Sequence, residues 1–441
     1  MRKKNFFWMA LTAAACTITL PSCSSNNEDE GNDSREVIVN MTADPQYINL
    51  TEAQRTFVND NNTFSLNFLQ CVNEKTSGGQ GYIYSPLSIT YVLGMVNDAA
   101  TGNTEKEIEE TLGFHQGGIK AVNEYCKKLI EGLPKTDSKN QLDIANAIFL
   151  NNKYELKQQF QEDMAYYYQA KAEALDFSDR GTLDHINGWC DEKTNGMIPS
   201  ILDNVDPNVV SYLLNAIYFK ADWTSKFDEN NTRNETFYTE SGGQTEVPMM
   251  HQKVYVQYME NDAYQAIRMP YGNGLWSMTI VLPLADKSIS EAIDRLAGPD
   301  RIDMRDFTIP SGNRFKTYET DLSLPCYETS SDTDKLKGGL IGILSEMGIR
   351  QAFNSDFAEI PNMANRSVFI GMMRQKAKIK VNEKGSEAAA VTVIGTYATS
   401  AGPYTPVEIP KVEFKANRPF VYIISEMSTG VILFVGKFTG Q

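Results

Sequence analysis

Histidine is nearly missing. Only His115, His185 and His251 occur in 441 residues, and none is spaced with another as metal ligands are. There is no G-x-S-x-G, no glycine-rich phosphate loop and no C-x-x-C, so a hydrolase elbow, a nucleotide cradle and a dithiol redox centre have no footing. Catalysis needs a nucleophile, a base and an electrophile in one set, and no such set is present. His251, beside Met250, reads as a partly buried strand residue. The chain is therefore expected not to be an enzyme and to need no metal or cofactor. Positive charge is also short: 41 Lys and Arg face 56 Asp and Glu, a net charge of −15. That argues against nucleic acid and against a basic heparin-type site. No solenoid repeat is visible.

Cysteine is sparse and scattered. Cys71, Cys126, Cys190 and Cys326 fall in different elements and read as buried thiols acting as small hydrophobes. An extracytoplasmic address would also permit a disulfide, but a core this large needs no staple. Long apolar runs are missing apart from Phe6 to Leu20, which is short for a bilayer span and follows the basic Arg2, Lys3 and Lys4. Leu20-Pro-Ser-Cys23 resembles a bacterial lipobox. It implies a lipoprotein signal peptide over 1–22 and diacylglycerol on the Cys23 thiol; ordinary secretion with cleavage nearby is the alternative. Several acyl chains on one residue give stable anchoring. Residues 23–49 read as a flexible polar tether too hydrophilic to fold. Its Glu28-Asp-Glu30 cluster resembles the surface-export signals of Bacteroidetes lipoproteins, so the expected address is the outer membrane or cell surface.

The rest can bury a large core, being 41% hydrophobic and 10% aromatic. It begins near Thr51, where Phe64, Phe68, Cys71 and Val72 recur at helical spacing. Tyr82 to Tyr84 leads into Ser85-Pro86 and a second helix through Val96. Thr104-Glu-Lys-Glu107 predicts a capping box and a helix start at Thr104, with Gly113 ending that helix. Strands are expected over Ile144 to Leu150, Val209 to Phe219 and Trp276 to Leu284, and helices over Gln158 to Tyr168 and Asp334 to Met347. Gly338-Gly339 carries no signal in that last stretch. Val209 to Phe219 suits a central strand buried on both faces. Val421 to Ile424 and Val431 to Val435 flank a hairpin turn at Ser428-Thr-Gly430. Helices and strands mix without βαβ alternation, which predicts an α+β fold.

One stretch reads in two ways. Lys376 to Val381 alternates strictly, with Ala377, Ile379 and Val381 toward a core and three lysines toward water. After it, Ser386, Ala388, Ala390 and Thr392 fall on one face of an extended chain, all small and uncharged. Gly385 stands where the chain must swing. The segment could be a surface loop, or a strand not yet in its sheet.

Val381-Asn-Glu-Lys-Gly-Ser-Glu-Ala-Ala-Ala390 resembles the reactive-loop hinge of the serpins. Asn215-Ala-Ile-Tyr-Phe-Lys-Ala-Asp-Trp223, Tyr84-Ser-Pro-Leu-Ser-Ile89, Ile186-Asn-Gly-Trp189, Lys193-Thr-Asn-Gly196, Val247-Pro-Met-Met250, Lys415-Ala-Asn-Arg-Pro-Phe420 and Thr429-Gly430 through Gly436-Lys437 resemble other serpin segments in the family's order. The resemblance covers 50–441 and implies a single serpin domain with a large central mixed sheet, surrounding helices and an exposed reactive loop at about 383–410. It implies a suicide-substrate inhibitor of a serine or cysteine protease, acting as a monomer. Glu383, Gly385, Ser386, Glu387, Ala388, Ala389 and Ala390 resemble the hinge and Trp223 the breach residue. Ser85, Ser88 and Asn215 resemble the polar shutter. Gln375 stands where the family commonly has a histidine; its amide still donates and accepts but does not titrate. The family's spacing puts the cut bond at Thr399–Ser400, sixteen residues past Glu383. The stretch to Arg418 is longer than usual, so Tyr397, Ala398 and Tyr404 are alternative baits. No Arg or Lys lies between Lys384 and Lys411, which favours elastase-like or chymotrypsin-like targets over trypsin-like ones. Two rival readings remain: a non-inhibitory binding protein on the same fold, or a surface lipoprotein that takes up glycan or peptide. The small-residue run Ala388 to Ala390 argues against the first, and the hinge and Trp223 motifs have no reason to exist in the second.

Overall fold

The computed structural model describes residues 45–76, 78–298, 315–386 and 409–440. In chain order the elements are α1 (Glu52–Lys75), β1 (Tyr82–Tyr84), α2 (Pro86–Ala99), α3 (Gly102–Leu112), α4 (Gly118–Gly132), β2 (Gln141–Asn151), α5 (Gln158–Tyr168), β3 (Lys171–Leu175), α6 (Gly181–Lys193) and β4 (Ser211–Asp222). They continue as β5 (Arg233–Tyr238), β6 (Gln244–Glu260), β7 (Tyr264–Tyr271), β8 (Trp276–Pro283), α7 (Ile289–Ala297), β9 (Lys316–Pro325), β10 (Tyr327–Asp332) and α8 (Gly339–Met347). The last are β11 (Met372–Val381), β12 (Gly385–Ser386), β13 (Lys411–Lys415), β14 (Phe420–Glu426) and β15 (Ile432–Phe438).

Two mixed sheets organise this α+β fold. One runs β1-β15-β14-β8-β7-β6-β9-β13, with β5 on β6; the other runs β10-β11-β4-β2-β3, with β12 on β4. Strand β4 is central to the second sheet and buried on both faces. Leu213 and Ile217 enter the large core with α2 and β15, while Tyr212, Leu214 and Ala216 meet Ile186, Trp189 and Cys190 of α6. That two-sided burial explains its near-continuous apolar sequence. On one side β4 pairs antiparallel with β2 along most of its length; on the other it pairs parallel with β11, from Met372↔Tyr212 to Lys376↔Ala216. In β11, Ala377, Ile379 and Val381 are buried, as their alternation predicts.

Three local expectations are corrected. Helix α3 starts at Gly102, not Thr104, and has no side-chain cap of its own. Thr104 is buried inside it, and its hydroxyl accepts from Glu359 N at 3.0 Å. The Glu359 carboxylate accepts from Asn103 N at 2.8 Å, so a distant segment supplies the cap that the local box was expected to give. Asp334 to Met347 is not one helix. A short 3₁₀ turn, Thr333–Lys335, is followed by Gly338 at φ +84° and then by Gly339 at φ +63°, the first residue of α8. The glycine pair builds that left-handed entry, which side-chain-bearing residues avoid. Finally, the expected tether ends early: Gln46 N donates to Thr136 O, and Ile48 is buried against Gly132.

Candidate functional site

The segment after β11 turns back on itself. Asn382 and Gly385 exchange backbone hydrogen bonds at 2.9 and 3.2 Å, and Asn382 Oδ1 accepts from Lys384 N at 3.0 Å. This is the Asx geometry that asparagine favours in turns. Gly385 takes φ +144°, and a Cβ there would lie 2.3 Å from Ala221 O, so only glycine fits. Gly385 and Ser386 then run antiparallel to Asp222 and Ala221 at the top of β4.

Trp223 is the post around which this turn is wound. Its ring lies flat on Tyr271, with centroids 4.3 Å apart and planes 9° apart. Its indole N–H donates to Asn382 O at 3.0 Å, and its backbone N–H to Lys384 O at 2.9 Å. Ser386, 2% exposed, shares a 3.0 Å hydrogen bond with the Tyr271 hydroxyl. Burial raises the Tyr271 hydroxyl above its ordinary range. Glu383 accepts from Phe227 N through its carbonyl, and from the Thr232 hydroxyl, at 2.7 Å, through its carboxylate. Burial alone would raise that carboxyl, but the bonds from Thr232, the backbone and Cys326 outweigh it and hold it below the usual carboxylate range. The Cys326 thiol is pushed up to about 12, first by burial and then by Glu383. The sequence reading kept Ser386 outside the sheet; instead it is already on β4, because Tyr271 supplies a partner for a buried hydroxyl.

Lower on the same seam lies a second polar group. Gln375 is fully buried. Its Oε1 accepts from Ser85 N at 2.8 Å; its amide donates to Ser85 O at 3.0 Å and to Asn215 Oδ1 at 3.2 Å. Asn215 donates on to Asn146 Oδ1 at 2.8 Å, and the Gln375 backbone N–H donates to Thr333 Oγ1 at 2.9 Å. Ser85 Oγ donates to Leu433 O at 2.7 Å and lies 3.1 Å from Ser88 Oγ. The structure thus brings Ser85, Ser88, Asn215 and Gln375 together across α2, β4 and β11. Asn146, Thr333, Tyr271 and Thr232 complete these two groups and were missed, while Asn382 lies inside the hinge-like motif. The sequence neighbourhoods of the first four carry no pattern that would pair them.

The other sequence-derived positions are less informative. Glu387, Ala388, Ala389, Ala390, Tyr397, Ala398, Thr399, Ser400, Tyr404 and Cys23 lie outside the described residues. His251 sits on β6 between Ser323 Oγ at 3.1 Å and Glu235 Oε1 at 3.0 Å. Burial first, and then Arg233, lower its pKa. Cys71, Cys126, Cys190 and Cys326 are free thiols. Among the described residues no cluster is suited to a metal ion, and no helix is long and apolar enough to cross a membrane.

The sequence profile of the family described as Serpin (serine protease inhibitor) matches residues 59–440. An uncharacterized serpin-like protein of Thermococcus kodakarensis is 30% identical over 396 residues, covering 89% of this chain and 88% of its own. Human neuroserpin is 28% identical over 374 residues, covering 82% of this chain and 86% of its own. The crystal structure of tengpin, a thermophilic serpin in the native state, superposes with a TM-score of 0.75 at 28% identity, covering 92% of this chain and 99% of tengpin.

Proposed function

The chain belongs to the serpin family, has the serpin fold and is not an enzyme, and from that premise we propose that it is an inhibitor that traps its target covalently. The target's nucleophilic oxygen attacks the Thr399 carbonyl, the Thr399–Ser400 bond breaks, the Ser400 amine leaves with a proton, and an ester to the target remains. The freed loop then enters the six-stranded sheet between β4 and β11. The 14 residues Ser386 to Thr399 span about 45 Å as a strand, enough to carry the tethered target the length of the molecule. Strand addition of this kind gains backbone hydrogen bonds along the inserted segment, so the starting state is held kinetically.

The observation that carries the reading is the seat of Gly385–Ser386 on β4. It places the first two residues of the small-side-chain run at the seam, where the rest would follow. In this reading Glu383 to Ala390 form the hinge, Trp223 the breach, and Ser85, Ser88, Asn215 and Gln375 the shutter. Incubation with elastase-like and chymotrypsin-like serine proteases should leave a complex that survives denaturing electrophoresis. The mass of the released fragment should place the cut at Thr399–Ser400, or at Tyr397, Ala398 or Tyr404 if the longer loop shifts it. Cleavage with no stable complex from any protease of either class would overturn the inhibitory reading. The absence of Arg and Lys between Lys384 and Lys411 supports elastase-like or chymotrypsin-like targets. Leu20-Pro-Ser-Cys23 supports a lipid anchor at Cys23 on the outer membrane or cell surface. Metabolic fatty-acid labelling should mark the wild type and not Cys23→Ala; equal labelling of both would remove the anchor.

A further inference from the structure

Arg374 lies within β11, the strand that precedes the hinge, and sits beside Leu214 across the β11–β4 ladder. Its side chain is only 5% exposed and is gripped by three carboxylates. Nε and Nη2 donate to the two oxygens of Asp332 at 2.9 and 2.5 Å, Nε lies 3.2 Å from Asp334, and Nη2 donates to Asp203 at 3.0 Å. Burial works against the charge, but Asp332 and Asp334 hold the guanidinium firmly protonated. The three carboxylates belong to two different bodies. Asp332 ends β10, which pairs with β11 along its whole length, so Arg374, Asp332 and Asp334 form one unit with these strands. Asp203 lies in the connection from α6 to β4. Asn187 of α6 clamps that connection, accepting from Ile201 N and Leu202 N at 2.8 and 2.9 Å and donating to Leu202 O at 2.9 Å. Ile201 and Leu202 are buried with Ile186, Trp189, Phe149 and Tyr212, so Asp203 is carried by α6, β2 and β4.

The Arg374–Asp203 pair therefore crosses the seam between two rigid halves. We infer that this ion pair is a tie across the β4–β11 seam that slows its opening, making Asp203 a positioning residue for strand insertion. This rests on the insertion reading and adds to it a named residue that sets the rate. Another side-chain bond to the same connection, Lys376 Nζ to Ser200 O at 3.0 Å, remains when Asp203 is changed. Arg374 itself is a poor probe, because its removal would strand the nearly buried Asp332. Asp203 is the clean one: its side chain is 74% exposed, so neutralising it strands no buried charge on its own side.

The test uses the full chain and a synthetic peptide with the sequence of residues 386–399, whose uptake into the sheet is followed on native gels and needs no protease. Asp203→Asn should take up the peptide about two- to five-fold faster than wild type, the range that an exposed ion pair supports. Asp203→Glu should restore the slow rate. Raising salt should speed the wild type toward the variant and leave Asp203→Asn little changed, because screening acts on the pair. Unchanged circular dichroism would show that the variant is folded. Equal, salt-insensitive rates for wild type and Asp203→Asn would overturn the tie while leaving insertion intact. A wild type that never takes up the peptide would overturn both, and so separates failure of the insertion reading from failure of the tie.

Discussion

The two ends of the β4–β11 seam are closed by different means. At the lower end the strands pair directly, and Gln375 of β11 bonds both Asn215 of β4 and Ser85 at the start of α2. Every bond of the Gln375 group is between neutral groups in a buried setting, where a hydrogen bond is strong and an orphaned partner is costly. At the upper end Gly385–Ser386 pairs with β4, held by an aromatic post, a half-exposed carboxylate and a two-residue strand. The upper end is built from a turn that can unwind locally; the lower end opens only if a buried network breaks as a unit. Under the proposed mechanism insertion starts above and is resisted below.

The largest effect is expected from Ser386→Arg. The site admits a hydroxyl paired with Tyr271 and offers no carboxylate, so a buried guanidinium would cost several kcal/mol. The two-residue pairing should be lost while the fold persists. Inhibitor consumed per protease inactivated should rise on the order of ten-fold, the equivalent of about 1.4 kcal/mol in the insertion barrier. Glu387→Arg should matter much less, since adjacent side chains of an extended chain point oppositely. An unchanged ratio for Ser386→Arg would mean that the upper end is not the entrance.

Gln375→Ala comes next. It leaves Ser85 N, Ser85 O and Asn215 Oδ1 short of partners, at about 1–3 kcal/mol for a buried group left unsatisfied. The melting temperature should fall by several degrees, and uptake of an added loop peptide should quicken. If stability falls while uptake stays at the wild-type rate, the lower network supports the fold without resisting the opening.

The smallest effect is a pH dependence confined to the upper end. The Glu383 carboxyl is held below its ordinary value of 4.5 in the folded chain. Its contribution is therefore complete above the ordinary value and lost as pH falls through the lower, folded one. Trp223 fluorescence should report the turn loosening only once pH falls below the ordinary carboxylate range, and Glu383→Gln should remove that transition. At the lower end Gln375 cannot titrate, so insertion rates between pH 5 and 8 should show no step from that position. A step there that persists in Glu383→Gln would place a titrating group in the seam that neither network contains.

The sequence by itself determined the α+β class, the alternation of β11, the doubly buried β4, the family, and the residue types at both ends of the seam. These are local or periodic properties, set by side-chain size and by a hydrophobic period of two or 3.6 residues. It also allowed Gly385, because a glycine between Lys384 and Ser386 announces an unusual backbone angle. What it could not determine is who meets whom across long separations. Gln375 reaches Ser85, 290 residues away, and Ser386 reaches Tyr271, 115 residues away. Thr104 reads as a cap and is not one, because Glu359 arrives from elsewhere to do that work. Whether Gly385 and Ser386 wait outside the sheet or already rest on β4 was likewise a tertiary decision. A small uncharged residue tolerates both places, and only a hydroxyl partner at the top of β4, supplied by a strand of the other sheet, makes the buried one stable.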